Sequence, residues 1–124
     1  MKRAIITGAS DGLGLELAKL LATQGVEVVA LSRNAPAAPC VHIQTDLRDE
    51  ASVERTIERI KRDFASFDCL INCAGVLKVT PLEKLTYKET DELFRVNAIA
   101  PMRLVAGLLD DIKKNGADIV NVGS

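Results

Sequence analysis

Short apolar runs alternate along this chain with longer stretches in which apolar residues recur every three or four positions. The runs are residues 4–7, 26–32, 41–44, 69–72 and 117–122, each strand-sized and too short for a helix. Residues 26–32 are apolar enough to be covered on both faces. The first amphipathic stretch, residues 12–23, sets Leu13, Leu17, Leu20 and Leu21 on one face and Glu16 and Lys19 on the other. Gly25 is its natural stop. The second opens at Asp49, a capping residue, and carries Val53, Ile57, Ile60 and Phe64 as an apolar stripe. Glu58 and Arg62 form an i,i+4 pair on its wet side. Thr86-Tyr87-Lys88-Glu89 is a capping-box pattern that starts a helix running toward Asn97. A further helix follows, with Pro101 in its first turn and Gly116 just past its end.

Strands that alternate with helices predict an α/β fold, a doubly wound parallel sheet with right-handed crossovers. The expected strand order is 3-2-1-4-5, with a switch point between strands one and four. Ligands of such sheets sit outside the carboxyl ends of the strands. The unusual residues gather at those ends. A glycine-rich turn follows strand one, Ser32-Arg33 ends strand two, and Asp46 follows strand three. Asn72-Cys73-Ala74-Gly75 follows strand four, and Ser124 follows strand five. No repeat, low-complexity tract or linker divides residues 1–124, so one domain is expected.

Composition narrows the class without naming a task. Hydrophobic residues make up 48% of the 124, which excludes a disordered chain. The net charge of −1 offers no basic excess for nucleic acid or an anionic membrane. No apolar run approaches a membrane span, and Thr7-Gly8 interrupts the only stretch resembling a leader. Cys40, Cys69 and Cys73 are an odd number without an export signal, which points to free thiols and the cytoplasm. One histidine and no C-x-x-C give no pattern for a metal site.

The turn at residues 7–14 reads Thr-Gly-Ala-Ser-Asp-Gly-Leu-Gly. Small residues let backbone approach a ligand closely, and the first N–H groups of the following helix point at it. A helix N-terminus favours negative charge, so a pyrophosphate is the natural guest. T-G-x-x-x-G-x-G resembles the opening of the short-chain dehydrogenase/reductase family, a Rossmann-type fold. That resemblance implies cofactor contacts by Gly8, Ser10, Asp11, Gly12, Leu13 and Gly14. Asp46-Leu47 resembles the family pair whose acid receives the adenine amino group. Asn72-Cys73-Ala74-Gly75 resembles the family's N-N-A-G, which supports the central sheet and lies along the cofactor ribose; Cys73 replaces the second asparagine. Asn97 resembles the helix-interrupting asparagine that holds a water in the proton relay. Val120-Asn121-Val122-Gly123-Ser124 resembles the strand ending I-V-N-I-S-S, whose second serine is catalytic; Ser124 falls on it. The spacings from Asn72 to Asn97 and from Asn97 to Ser124 agree with the family pattern.

The same resemblance implies hydride transfer between a nicotinamide dinucleotide and a small carbonyl or alcohol. It points to NADP, with NAD as the alternative. The end of strand two, Leu31-Ser32-Arg33-Asn34, carries no acid to accept from a ribose 2′-hydroxyl, and Arg33 offers a fork matched to phosphate. Asp11 pulls the other way, because some NADP-preferring members carry a basic residue in that turn. The family's proton-transfer tyrosine and the lysine four residues later have no match. Tyr87 is the one tyrosine, and Asp91 stands four residues beyond it. The chain therefore reads as the N-terminal portion of a family member, truncated after strand five and inactive alone. The competing reading is a non-enzymatic dinucleotide-binding module. A methyltransferase of similar topology fits the residues at 72–75 and 97 less well. An apolar fifth strand at the sheet edge leads to an expected homo-oligomer.

Overall fold

The computed structural model describes residues 1–77 and 79–123. Five parallel strands form one sheet in the order β3-β2-β1-β4-β5, the order expected. They are β1 (Arg3–Thr7), β2 (Glu27–Ser32), β3 (Val41–Gln44), β4 (Cys69–Asn72) and β5 (Asp118–Asn121). β1, β2 and β4 are buried on both faces, as parallel strands covered by helices must be. The helices are α1 (Gly12–Thr23), α2 (Glu50–Asp63), α3 (Tyr87–Phe94), α4 (Ala100–Gly107) and α5 (Leu109–Asn115). Among the described residues no helix is long and apolar enough to cross a membrane.

Alternating strand residues feed two cores. On one face Ile5, Val29, Leu31, Ile43 and Leu70 meet Val53, Ile57 and Ile60 of α2, Leu104 of α4, Ile112 of α5 and Leu108 at their junction. Gly107 permits that approach, since a Cβ there would stand 2.8 Å from Ile57 Cδ1. On the other face Ala4, Ile6, Val28, Ala30 and Ile71 pack with Ala18 of α1. Here the expected leucine face needs correction. Gly14 and Ala18 are the buried residues of α1, and Leu13 and Leu20 are exposed. Small residues let the helix axis lie close to the sheet, which turns the buried stripe away from those two leucines. Leu17 and Leu21 still flank the core.

Two other local expectations resolve differently. Arg62 pairs with its neighbour Asp63 at 3.1 Å, and no ion pair with Glu58 forms among the described residues. The break expected near Asn97 is a π-turn, Arg95–Ile99, which joins α3 to α4 without ending the helical path. Such a wide turn frees backbone groups and recurs at functional sites. The caps foreseen at α2 and α3 do form. Asp49 accepts from the Ala51 amide at 3.1 Å, and Thr86 Oγ1 accepts from the Glu89 amide at 3.2 Å.

Candidate functional site

A cleft of about 620 Å³ opens across the carboxyl ends of β1, β2, β3 and β4. It is lined by Gly8, Ser10, Asp11, Gly12, Leu13 and Gly14 after β1, and by Arg33 after β2. Asp46 and Leu47 line it after β3, and Ala74 and Gly75 after β4. These eleven are all among the residues expected from sequence, drawn together from four separate loops.

The turn after β1 is held in a form only glycine allows. Gly8 has φ +69°, and a Cβ on it would lie 2.6 Å from Ala74 Cα. A Cβ on Gly14 would lie 2.1 Å from the Gly8 carbonyl oxygen. The turn thus folds tightly against the end of β4. Thr7 completes the junction: its buried Oγ1 accepts from the amides of Cys73 at 3.1 Å and Ala74 at 3.0 Å. One hydroxyl thereby satisfies two amides left over at the strand end.

The start of α1 differs from the starts of α2 and α3. Asp11 occupies its N-cap in extended geometry, yet makes no side-chain cap hydrogen bond among the described residues. α2 and α3 both use such a cap. The first amides of α1 are therefore available to an external acceptor, at the positive end of the helix dipole. They adjoin the cleft.

Asp46 is fixed by a residue that the sequence reading did not single out. Arg48 donates to Asp46 Oδ1 from its backbone amide and from Nε, each at 3.0 Å, and from Nη2 to Oδ2 at 3.0 Å. The Arg48 hydrogen bonds hold the Asp46 carboxyl below its ordinary range; burial opposes this, and the Arg33 charge adds to it. Oδ2 keeps an acceptor position after these bonds are made. The Asp46 amide donates to Ser52 Oγ at 2.9 Å, which ties the loop to the first turn of α2. Arg48 itself lines the cleft. Its signal in the sequence was the Asp-x-Arg spacing, which places a fork within reach of the acid.

Two expected residues, Asn72 and Asn97, stand elsewhere. Asn72 is buried, at 4% exposure, and does not line the cleft. Its Nδ2 donates to Asn121 Oδ1 at 2.9 Å and joins β4 to β5. Asn97 sits in the π-turn, and its carboxamide clamps the backbone of Val76. Oδ1 accepts from the Val76 amide and Nδ2 donates to the Val76 carbonyl, both at 2.9 Å. The loop after β4 is thus pinned to the helical wall. Ser124 lies outside the described residues. Leu93 and Val96, from α3 and the π-turn, form a wall of the cleft that periodicity alone did not reveal. Cys73 also lines it, and burial pushes its thiol above the usual range, toward the unreactive protonated form.

The pattern of the short chain dehydrogenase family matches residues 2–124. Gluconate 5-dehydrogenase of Gluconobacter oxydans (strain 621H) is 39% identical over 110 residues, covering 79% of this chain and 43% of that protein. The 3-oxoacyl-[acyl-carrier-protein] reductase of Escherichia coli (strain K12) is 27% identical over 133 residues, 99% of this chain and 54% of that one. The chain spans about half the length of the curated relatives it matches. Among solved structures, 4-hydroxyisoleucine dehydrogenase complexed with NADH superposes with a TM-score of 0.90 at 27% identity, over 100% of this chain and 56% of that chain. A short-chain dehydrogenase from Sphingobium yanoikuyae in complex with NADPH gives 0.86 at 27% identity, over 100% of this chain and 54% of that chain.

Proposed function

The chain belongs to the short chain dehydrogenase family, and on that premise we propose that it is the cofactor-holding portion of an NADP-dependent oxidoreductase acting on a carbonyl or alcohol. The observation that carries this reading is the uncapped start of α1, which adjoins the cleft. The amides of Gly12, Leu13 and Gly14 are the donors for the pyrophosphate, with Gly8, Ser10 and Asp11 shaping the turn around it. Asp46 and Leu47 take the adenine edge, and Ala74 and Gly75 run along the ribose. Asn72 acts one step back, holding β4 to β5 so that this edge stays in register. When bound, the nicotinamide supplies the hydride donor or acceptor at C4.

The proton side of the reaction falls to Asn97 and Ser124 as far as this chain extends. Asn97 keeps the Val76 backbone against the π-turn, and Ser124 polarises the substrate oxygen. Neither group transfers the proton. Among the 124 residues, Tyr87 is 97% exposed and lies on no wall of the cleft. This portion therefore binds cofactor and does not turn substrate over by itself.

Arg33 sets the preference for NADP. It is exposed at the cleft mouth, without an ion pair or hydrogen bond among the described residues, so its fork is available to a 2′-phosphate. Titration calorimetry with NADPH and NADH tests this. NADPH is expected to bind about tenfold tighter or better, the scale of a charge-assisted hydrogen bond, and Arg33→Asp is expected to erase or reverse the order. Equal affinities before and after the substitution overturn the preference.

A further inference from the structure

The eight arginines divide in a way that singles out a second cation. Arg3, Arg48, Arg59, Arg62, Arg95 and Arg103 each sit within ion-pair distance of a carboxylate. Arg33 and Arg55 have no such partner among the described residues. These two line the same recess, of about 370 Å³, with Asn34, Gln44, Ser52 and the acids Asp46 and Asp49. It adjoins the main cleft, since Arg33 and Asp46 line both.

The local geometry turns Arg55 toward that recess. Ser52 and Arg55 are three apart on α2 and share a face. Ser52 Oγ is bonded to the Asp46 amide, so this face looks at the loop after β3. Helical side chains lean toward the N-terminus, which carries the Arg55 guanidinium back over the Ser52 turn. The acids of the recess are already engaged. Asp46 is held by Arg48, and Asp49 Oδ1 accepts from the Ala51 amide. Arg33 and Arg55 have no ion-pair partner among the described residues, so two guanidinium forks face one recess with their donors free, and a dianion between them is attracted by both.

We infer that Arg55 is a specificity-determining residue that, with Arg33, grips the 2′-phosphate of NADP. This rests on the reading of the cleft as a dinucleotide site. Arg33 reaches the phosphate from the end of β2, and Arg55 reaches it from α2. The second cation sits on a helix, whereas the first sits on a loop.

The test uses adenosine 2′,5′-bisphosphate and adenosine 5′-monophosphate, which differ in the 2′-phosphate and need no nicotinamide subsite. Calorimetric titrations compare the unaltered chain with Arg55→Ala, Arg55→Lys and Arg33→Ala. Arg55→Ala is expected to weaken the bisphosphate by about tenfold and to leave the monophosphate unchanged. Arg55→Lys, which keeps charge and loses the fork, is expected to fall between. Arg55→Ala binding the bisphosphate as the unaltered chain does, while Arg33→Ala does not, overturns the role of Arg55 and leaves the cofactor reading standing. An equal loss for both ligands also overturns it, because that marks a structural role. An unaltered chain that binds neither nucleotide overturns the dinucleotide reading, and this inference with it.

Discussion

β3 and β5 are both edge strands, yet their surroundings differ. Ile43 of β3 is buried against α2, and the loop that follows is locked by Arg48, Asp46 and Ser52. All four residues of β5 are exposed, including Ile119 at 38%. The helical segment that precedes β5 is also open: Phe94, Ile99 and Met102 are exposed, Met102 at 71%. The contrast separates two jobs. The flank with β1, β2 and β3 ties the loop after β3 down through its own hydrogen bonds. The flank with β4 and β5 keeps apolar surface in water, where an additional layer would bury it.

The largest effect that can break this contrast is turnover. Steady-state assays of the chain with NADPH and a panel of ketones and alcohols are expected to show none. A missing acid–base group alone costs about 10²–10⁴-fold. Rates in the usual enzyme range, about 1–10³ s⁻¹, would mean that the open flank already holds a complete proton path.

Stability sharpens the contrast next. Ile5→Ala, in the centre of the sheet, is expected to cost about 2–5 kcal/mol by denaturant unfolding. Gly14→Ala belongs with it, because its Cβ has no space beside the Gly8 oxygen. Ile119→Ala, on the open flank, is expected to stay within about 1 kcal/mol. Equal losses at positions 5 and 119 would show that the β5 edge is covered in solution.

Association is the smallest of the three effects. The exposed strand edge and the α4 face are expected to drive reversible self-association, most simply as a symmetric dimer. Light scattering across a dilution series reads it, and Met102→Glu is expected to shift the mass toward the monomer. A monomer that persists at the highest concentrations would show that the open flank is tolerated as it stands.

Much of the architecture was legible in the residues themselves. Residues 41–44 and 69–72 read as strands to the residue, because short apolar runs bounded by polar or turn residues have few alternatives. The glycine turn was equally legible, since contacts at Gly8 and Gly14 leave no room for a Cβ. Local pattern, turn chemistry and capping therefore determined the element order and, through the α/β alternation, the strand order, while the family resemblance pointed to the residues of the cleft wall. Tertiary structure decided the rest. Periodicity places Leu13 and Leu20 on an apolar face, but the depth to which Gly14 and Ala18 let α1 approach the sheet settles which stripe is buried. Charge composition counts Arg48 and Arg55 alike. The Asp-x-Arg spacing sets the first beside Asp46, but only the fold brings the second to one recess with Arg33, because distances between side chains on different elements follow from packing and are not encoded in their spacing along the chain.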